Sequence, residues 1–299
     1  MIKIFLDNET KTKIENEYWN WFSSKHLNRF KKKRIKKEVK LALFGKESIN
    51  DIDIKEFLLA PPYKLQMIKE KIDKLEDTYK INSLTFAHMM RHIYRDYRNN
   101  MARKIVRELE IHICPYCNQN YVFSYDEETC VFCGELDHFY PKSKYFLLQV
   151  CLYNMIPVCS TCNHIKKDNS LVINNPFDGN YNNDFRFKAD LELEDCFDFM
   201  KLQSRKINID IDDSLAKESY KNEIKLFKLD ERYRGLKDEA LMTIIRTNMY
   251  NEFYQKTLTG LGIDSSDLKG IIVGYSEDDN RVSLSKFNRD IMAQFDLDE

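Results

Sequence analysis

The sequence predicts an α+β protein: a mainly helical N-terminal part, a small cysteine-rich module of short strands and a helix, and a mixed, mostly helical C-terminal part. Three observations predict it. Apolar residues recur at three- and four-residue steps through residues 1–110. Cysteine pairs and short aromatic, strand-like runs concentrate in 111–178. In 179–299, period-two alternation gives way to helical periodicity.

The first part divides into three amphipathic stretches. "NEYWNWFSSKHLNRFKKKRIKKEVKLALF" reads as helix. Pro61 and Pro62 in "APPY" stop it, because a proline ring cannot continue a helix. "YKLQMIKEKIDKLEDTYKI" is the second stretch. "SLTFAHMMRHIYRDYRNNMARKIVRELE" is the third, with Ser83 placed to cap its start. Arg91, Arg95 and Arg98 form one stripe along it, with Arg103 and Arg107 beyond. Met90, Tyr94, Tyr97, Met101 and Ile105 lie opposite and read as a core face.

In the middle, "NYVFSY" and "CVFCGELDHF" read as strands, and "NNPFDGNYNND" closes the module as a loop. "FRFKADLELED" and "KINIDID" then alternate like strands. "LAKESYKNEIKLFKLDERYRGLKDEALMTIIRTNMYNEFYQKTLTGLG" and "SLSKFNRDIMAQF" read as helices.

The chain has 299 residues, 43% apolar and 32% charged, as expected of a globular protein with a charged surface. Its formal net charge is −1, so no global basic field draws in nucleic acid. Local asymmetry remains. Residues 29–40, "RFKKKRIKKEVK", carry eight Lys or Arg and one Glu. On a helix that density covers most of the circumference and suits a phosphate-tracking surface, or a solvated face. Residues 190–213 are acidic, with eight acids and three bases, which offsets the basic start.

"MIKIFLDNETKTK" lacks the apolar core and cleavage site of a signal peptide. The longest apolar run, "YFLLQVCLYNMIPVC", is too short and too polar to span a bilayer. A cytoplasmic protein with reduced thiols is expected.

Six of the eight cysteines form C-x-x-C pairs: Cys114/Cys117, Cys130/Cys133 and Cys159/Cys162. In a reducing compartment such pairs read as metal ligands. Cys114, Cys117, Cys159 and Cys162 form the preferred set, since two tight turns can aim four thiolates at one tetrahedral Zn²⁺. Such an ion contributes about 10–16 kcal/mol of apparent binding energy to folding. Cys130/Cys133 can replace the first pair, but Cys133 sits where a strand leads into Asp137. The competing reading is two strand cysteines. A second zinc using Cys151 or Cys196 is a further alternative. His88 and His92 have metal-like spacing but no third ligand in sight.

Four landmarks occur in order: "CPYCNQNYV", "ELDHFYPKSKY", "LYNMIP" and "CSTCNHIKKD". Together they resemble the HNH endonucleases, also called His-Me finger or ββα-metal nucleases, over about 111–170. With "LSKFNRDIMAQF", the chain is similar to a group of bacterial HNH proteins of phage-defence systems. Some of these, the Septu type, are paired with an ATPase partner. The resemblance implies a ββα-metal module in which His138 is the general base, suited to neutral pH. Asp137 and Asn163 would hold a catalytic Mg²⁺ or Mn²⁺, since hard oxygen ligands suit these ions. His164 is a rival to Asn163. Asn154 would pin the loop that carries the histidine. Adjacent strand residues face opposite ways, so Asp137 and His138 converge only where the strand ends, and Pro141 fits that ending.

Lys142 and Lys144, Lys166 and Lys167, and Lys32, Lys33 and Arg34 are candidate phosphate contacts. DNA is the expected substrate, with RNA as the alternative, since nothing here reads a 2′-hydroxyl. A catalytically silent zinc module that binds nucleic acid or a partner is the third reading.

Overall fold

The computed structural model describes residues 2–75, 84–125, 131–169, 171–178, 185–191, 203–262 and 268–295. Helices dominate both flanks, and among the described residues three two-stranded antiparallel sheets lie between and after them. The α+β expectation holds.

Five helices open the chain: α1 Asn8–Lys25, α2 Leu27–Lys32, α3 Lys37–Phe44, α4 Asp51–Leu58 and α5 Pro62–Asp73. Their ends follow local chemistry. Asp7 caps α1 by accepting from the Thr10 amide at 2.7 Å. Asn50 and Asp53 form a reciprocal capping box on α4. Gly45 ends α3 at φ 73°, where a side chain would be strained. Pro62 sits at the first position of α5, where its missing N–H costs nothing. Ile14, Tyr18, Trp21 and Phe22 are the buried stripe of α1.

The basic segment departs from expectation. Residues 29–40 are not one helix: α2 ends at Lys32, Lys33 is extended at φ −77° and ψ 126°, and α3 begins at Lys37. The break turns Ile35 into the core. A continuous helix would also stack like charges at i, i+4, which is unfavourable.

Helices α6 Leu84–Asn100 and α7 Ala102–Glu108 follow, separated at Met101. Ser83, the expected cap, lies outside the described residues. The anticipated core face is buried at Met90, Tyr94, Tyr97 and Ile105, and Arg91, Arg95 and Arg98 are exposed.

The central module holds β1 Ser124–Tyr125, β2 Val131–Phe132, β3 Glu135–His138, β4 Met155–Val158 and α8 Ser160–Lys166. β1 pairs with β2, and β3 with β4, both antiparallel. "NYVFSY" is strand only at its end, although Ile113 and Tyr121 form an isolated bridge.

Beyond it, β5 Arg186–Asp190 pairs antiparallel with β6 Asn208–Asp212, and β5 alternates exposed and buried as its sequence requires. Helices α9 Glu218–Phe227, α10 Leu229–Arg234, α11 Lys237–Met249, α12 Glu252–Gly260, α13 Leu268–Val273 and α14 Ser285–Phe295 complete the chain. One buried apolar cluster runs from Ile4 to Ile291 and takes in all three parts. Tyr233 of α10 donates to the Cys117 carbonyl at 2.6 Å, so the C-terminal part buttresses the cysteine turn. No helix among the described residues is long and apolar enough to cross a membrane.

Candidate metal centre and adjoining cleft

Cys114 and Cys117 flank a tight turn before β1, and Cys159 and Cys162 bracket the first turn of α8. The structure brings all four together, buried, with their sulfurs within 4.8 Å of one another. A tetrahedral ion with Zn–S bonds of about 2.3 Å needs sulfurs roughly 3.8 Å apart. The Cys117 and Cys159 sulfurs are 3.9 Å apart. The donor set and its spacing therefore fit a structural Zn²⁺. The other cysteines stand apart. Cys133 is exposed, and Cys151 is buried with its thiol pushed well up by burial and directed at the Phe57 carbonyl. Cys130 and Cys196 lie outside the described residues.

Two N–H groups reach the sulfurs from outside the set. Arg232 of α10 donates to Cys162 at 3.5 Å, and Asn120 to Cys159 at 3.4 Å. Four thiolates around one divalent ion leave an excess of negative charge, which a half-buried guanidinium partly offsets.

The cysteine set fixes where α8 begins, and α8 packs on β3. Strand β3 runs against β4 with Asp137 opposite Ile156 and His138 opposite Met155. It ends at His138, the position where neighbouring side chains can converge. Leu136, Asp137, His138, Pro141, Lys142, Asn163, His164, Lys167 and Asp168 line one cleft of about 290 Å³.

His138 is buried. Its Nε2 lies 3.0 Å from the Gln149 carbonyl, which only accepts, so Nε2 carries the proton and Nδ1 the lone pair. The Tyr94 ring stands edge-on to the imidazole at 4.6 Å between centroids. Burial pushes the His138 pKa down to about 4. The Gln149 hydrogen bond opposes that shift, and Lys142 and Lys166 add to it. The ring is therefore neutral at pH 7.

Asn154 is fully buried and works on the loop after His138. Its Oδ1 accepts from the Tyr140 amide at 2.8 Å. Its Nδ2 donates to the Tyr140 carbonyl at 3.3 Å and the Leu148 carbonyl at 3.0 Å. Both ends of the intervening loop are thus tied to one side chain.

Asp137 is buried, and its Oδ2 accepts from Tyr116 and from Lys166, each at 2.8 Å. Lys166 also donates to the His138 carbonyl at 2.9 Å. This corrects one expectation: Lys166 is 2% exposed and clamps Asp137 to the strand end, out of reach of a phosphate. Asn163 donates Nδ2 to Glu135, which leaves its Oδ1 for another partner.

The remaining basic candidates separate by position. Lys142 and Lys167 are exposed and line the His138 cleft. Lys144 lines a different cavity, with Tyr140 and Tyr145. Lys32, Lys33 and Arg34 do not line the His138 cleft. His88 and His92 join no group of three potential metal ligands among the described residues.

Sequence reasoning missed Tyr94, Tyr116, Glu135 and Gln149. Glu135 carried a signal: it is two residues before Asp137, so both fall on one face of β3. Comparison with family models, with curated proteins and with solved structures finds no match to this chain.

Proposed function

We propose that this chain is a metal-dependent HNH endonuclease that hydrolyses phosphodiester bonds in DNA, in antiviral defence and under control of an ATPase partner. The observation that carries the catalytic part is one arrangement: an antiparallel β3–β4 pair followed by α8, with Asp137, His138 and Asn163 on one cleft. The substrate, the defence role and the partner rest on the resemblance of "CPYCNQNYV", "ELDHFYPKSKY", "LYNMIP" and "CSTCNHIKKD", with the late "LSKFNRDIMAQF", to HNH proteins of phage-defence systems.

The residues divide the work. His138 accepts a proton from the attacking water at Nδ1, the nitrogen that the Gln149 contact leaves basic. Tyr94 and Gln149 hold the ring, and Asn154 holds the loop that bears it. Asp137 and Asn163 would supply hard oxygen donors for Mg²⁺ or Mn²⁺, with His164 beside them as a rival ligand. When bound, the ion would supply Lewis-acid stabilisation of the phosphate and the departing 3′ oxygen. The products are 5′-phosphate and 3′-hydroxyl ends. Lys142 and Lys167 add positive charge for the phosphates. The cysteine-bound Zn²⁺ is structural and sets the start of α8.

A second reading is a catalytically silent zinc module. One observation favours it: Oδ2 of Asp137 is already taken by Tyr116 and Lys166. Purified protein incubated with Mg²⁺ or Mn²⁺ and, in parallel, plasmid, genomic DNA and total RNA separates the readings. EDTA-sensitive nicking of plasmid supports the DNase. Cleavage of RNA alone moves the substrate. No cleavage of any of the three, with the ATPase partner present, favours the silent module.

A further inference from the structure

The α6–α7 corner continues the His138 cleft. A second groove of about 610 Å³ is lined by Tyr94 and Arg98 of α6, Ala102 and Arg103 of α7, and Glu135, Lys142 and Asn163 of the central module. It shares Leu136, Lys142 and Asn163 with the first, so the two grooves adjoin.

The charge balance of this groove is one-sided. Among the described residues, Arg98, Arg103 and Lys142 face a single carboxylate, Glu135, which is occupied by Asn163. Nearby cations are engaged, Lys104 with Glu17 and Arg107 with Glu108. Arg98, Arg103 and Lys142 have no ion pair among the described residues and are exposed. Guanidinium groups in this state match phosphate oxygens with two parallel hydrogen bonds.

Among the described residues the groove offers no stacking surface. Its one aromatic ring, Tyr94, is buried, with His138 against it edge-on and the Lys142 ammonium 5.2 Å from its centroid. Charge without a free aromatic platform suits a backbone and reads no bases.

We infer that the α6–α7 corner is a sequence-independent binding arm: Arg98 and Arg103 hold the sugar-phosphate backbone that flanks the phosphate presented to His138. The inference rests on the nuclease reading, and the readout is chosen to separate the two.

The test is binding rather than cleavage. A His138→Ala protein keeps the nucleic acid intact, and fluorescence anisotropy of a labelled duplex is followed over a salt series. Arg98→Ala/Arg103→Ala in that background weakens binding and lowers the slope of log K against log salt by about 2. Binding is equal for duplexes of unrelated sequence. A Lys256→Ala control leaves both quantities unchanged; Lys256 is paired with Glu252 on α12. An unchanged slope in the double variant overturns the arm. So does binding of an acidic polypeptide in place of any nucleic acid, which assigns the surface to a protein partner. If the wild type cleaves while the slope is unchanged, the arm alone fails. If it binds with the expected slope but never cleaves, the nuclease reading alone fails. If it does neither, both fail.

Discussion

Replacing Asn154 by alanine separates a structural asparagine from a working one. Asn154 is 0% exposed and makes three hydrogen bonds to backbone, two to Tyr140 and one to Leu148. At about 1 kcal/mol net for each bond, the loss is about 3 kcal/mol. It grows if the three backbone groups stay dry, since an unpaired buried group costs about 1–3 kcal/mol. That is a large share of an ordinary stability of about 5–15 kcal/mol. Asn163→Ala serves as the comparison. Asn163 is only half-buried and, among the described residues, its side chain bonds Glu135 alone, so its removal costs about 1 kcal/mol or less. Urea unfolding followed by circular dichroism, at fixed zinc, reads both as midpoint shifts at constant slope. Asn154→Asp keeps the acceptor for the Tyr140 amide but loses both donated bonds and buries a charge, so it does no better than alanine. Equal midpoints for Asn154→Ala and wild type, or a larger loss at Asn163, refute the assignment of the loop-pinning role to Asn154.

The metal centre yields two further expectations. Cys114→Ser loses zinc and unfolds at markedly lower temperature, read by metal analysis and a thermal scan, because metal binding energy is folding energy at such a site. A soluble, zinc-replete Cys114→Ser protein moves the ion to Cys130/Cys133. Arg232→Ala keeps the fold at saturating zinc but weakens zinc affinity about 10–100-fold in chelator competition, the usual cost of losing an outer hydrogen bond to a ligand. Unchanged affinity removes the guanidinium from any role in balancing the thiolates.

The cysteine set was legible because C-x-x-C spacing is local chemistry: a turn that short can only aim its sulfurs together. The order of β3, β4 and α8 came from the resemblance to ββα-metal modules, since "MIPV" gives no strand pattern of its own. Lys166 was misplaced although its position could be read. It is four residues after Cys162, so both lie on the buried face of α8, whereas Lys167 turns outward. The break at Lys33–Lys36 was hidden because composition alone argues for helix. Burial of Ile35 against the rest of the core, together with the like charges a continuous helix would stack, makes an extended segment favourable there. Tyr94 could be read as core, but its place beside His138, like those of Tyr116 and Gln149 in the site, left no local trace. Their contacts with His138 and Asp137 join segments far apart in sequence, and no spacing rule reaches them.

We propose that His138 performs the chemistry in a site that a zinc on the four cysteines would hold in place. Plasmid nicking by wild type and His138→Ala, in Mg²⁺ and then in EDTA, with zinc content measured on the same samples, tests this most directly. The account predicts Mg²⁺-dependent nicking by wild type, none by His138→Ala, and equal zinc in both. Nicking that persists in a folded, zinc-replete His138→Ala protein would contradict it.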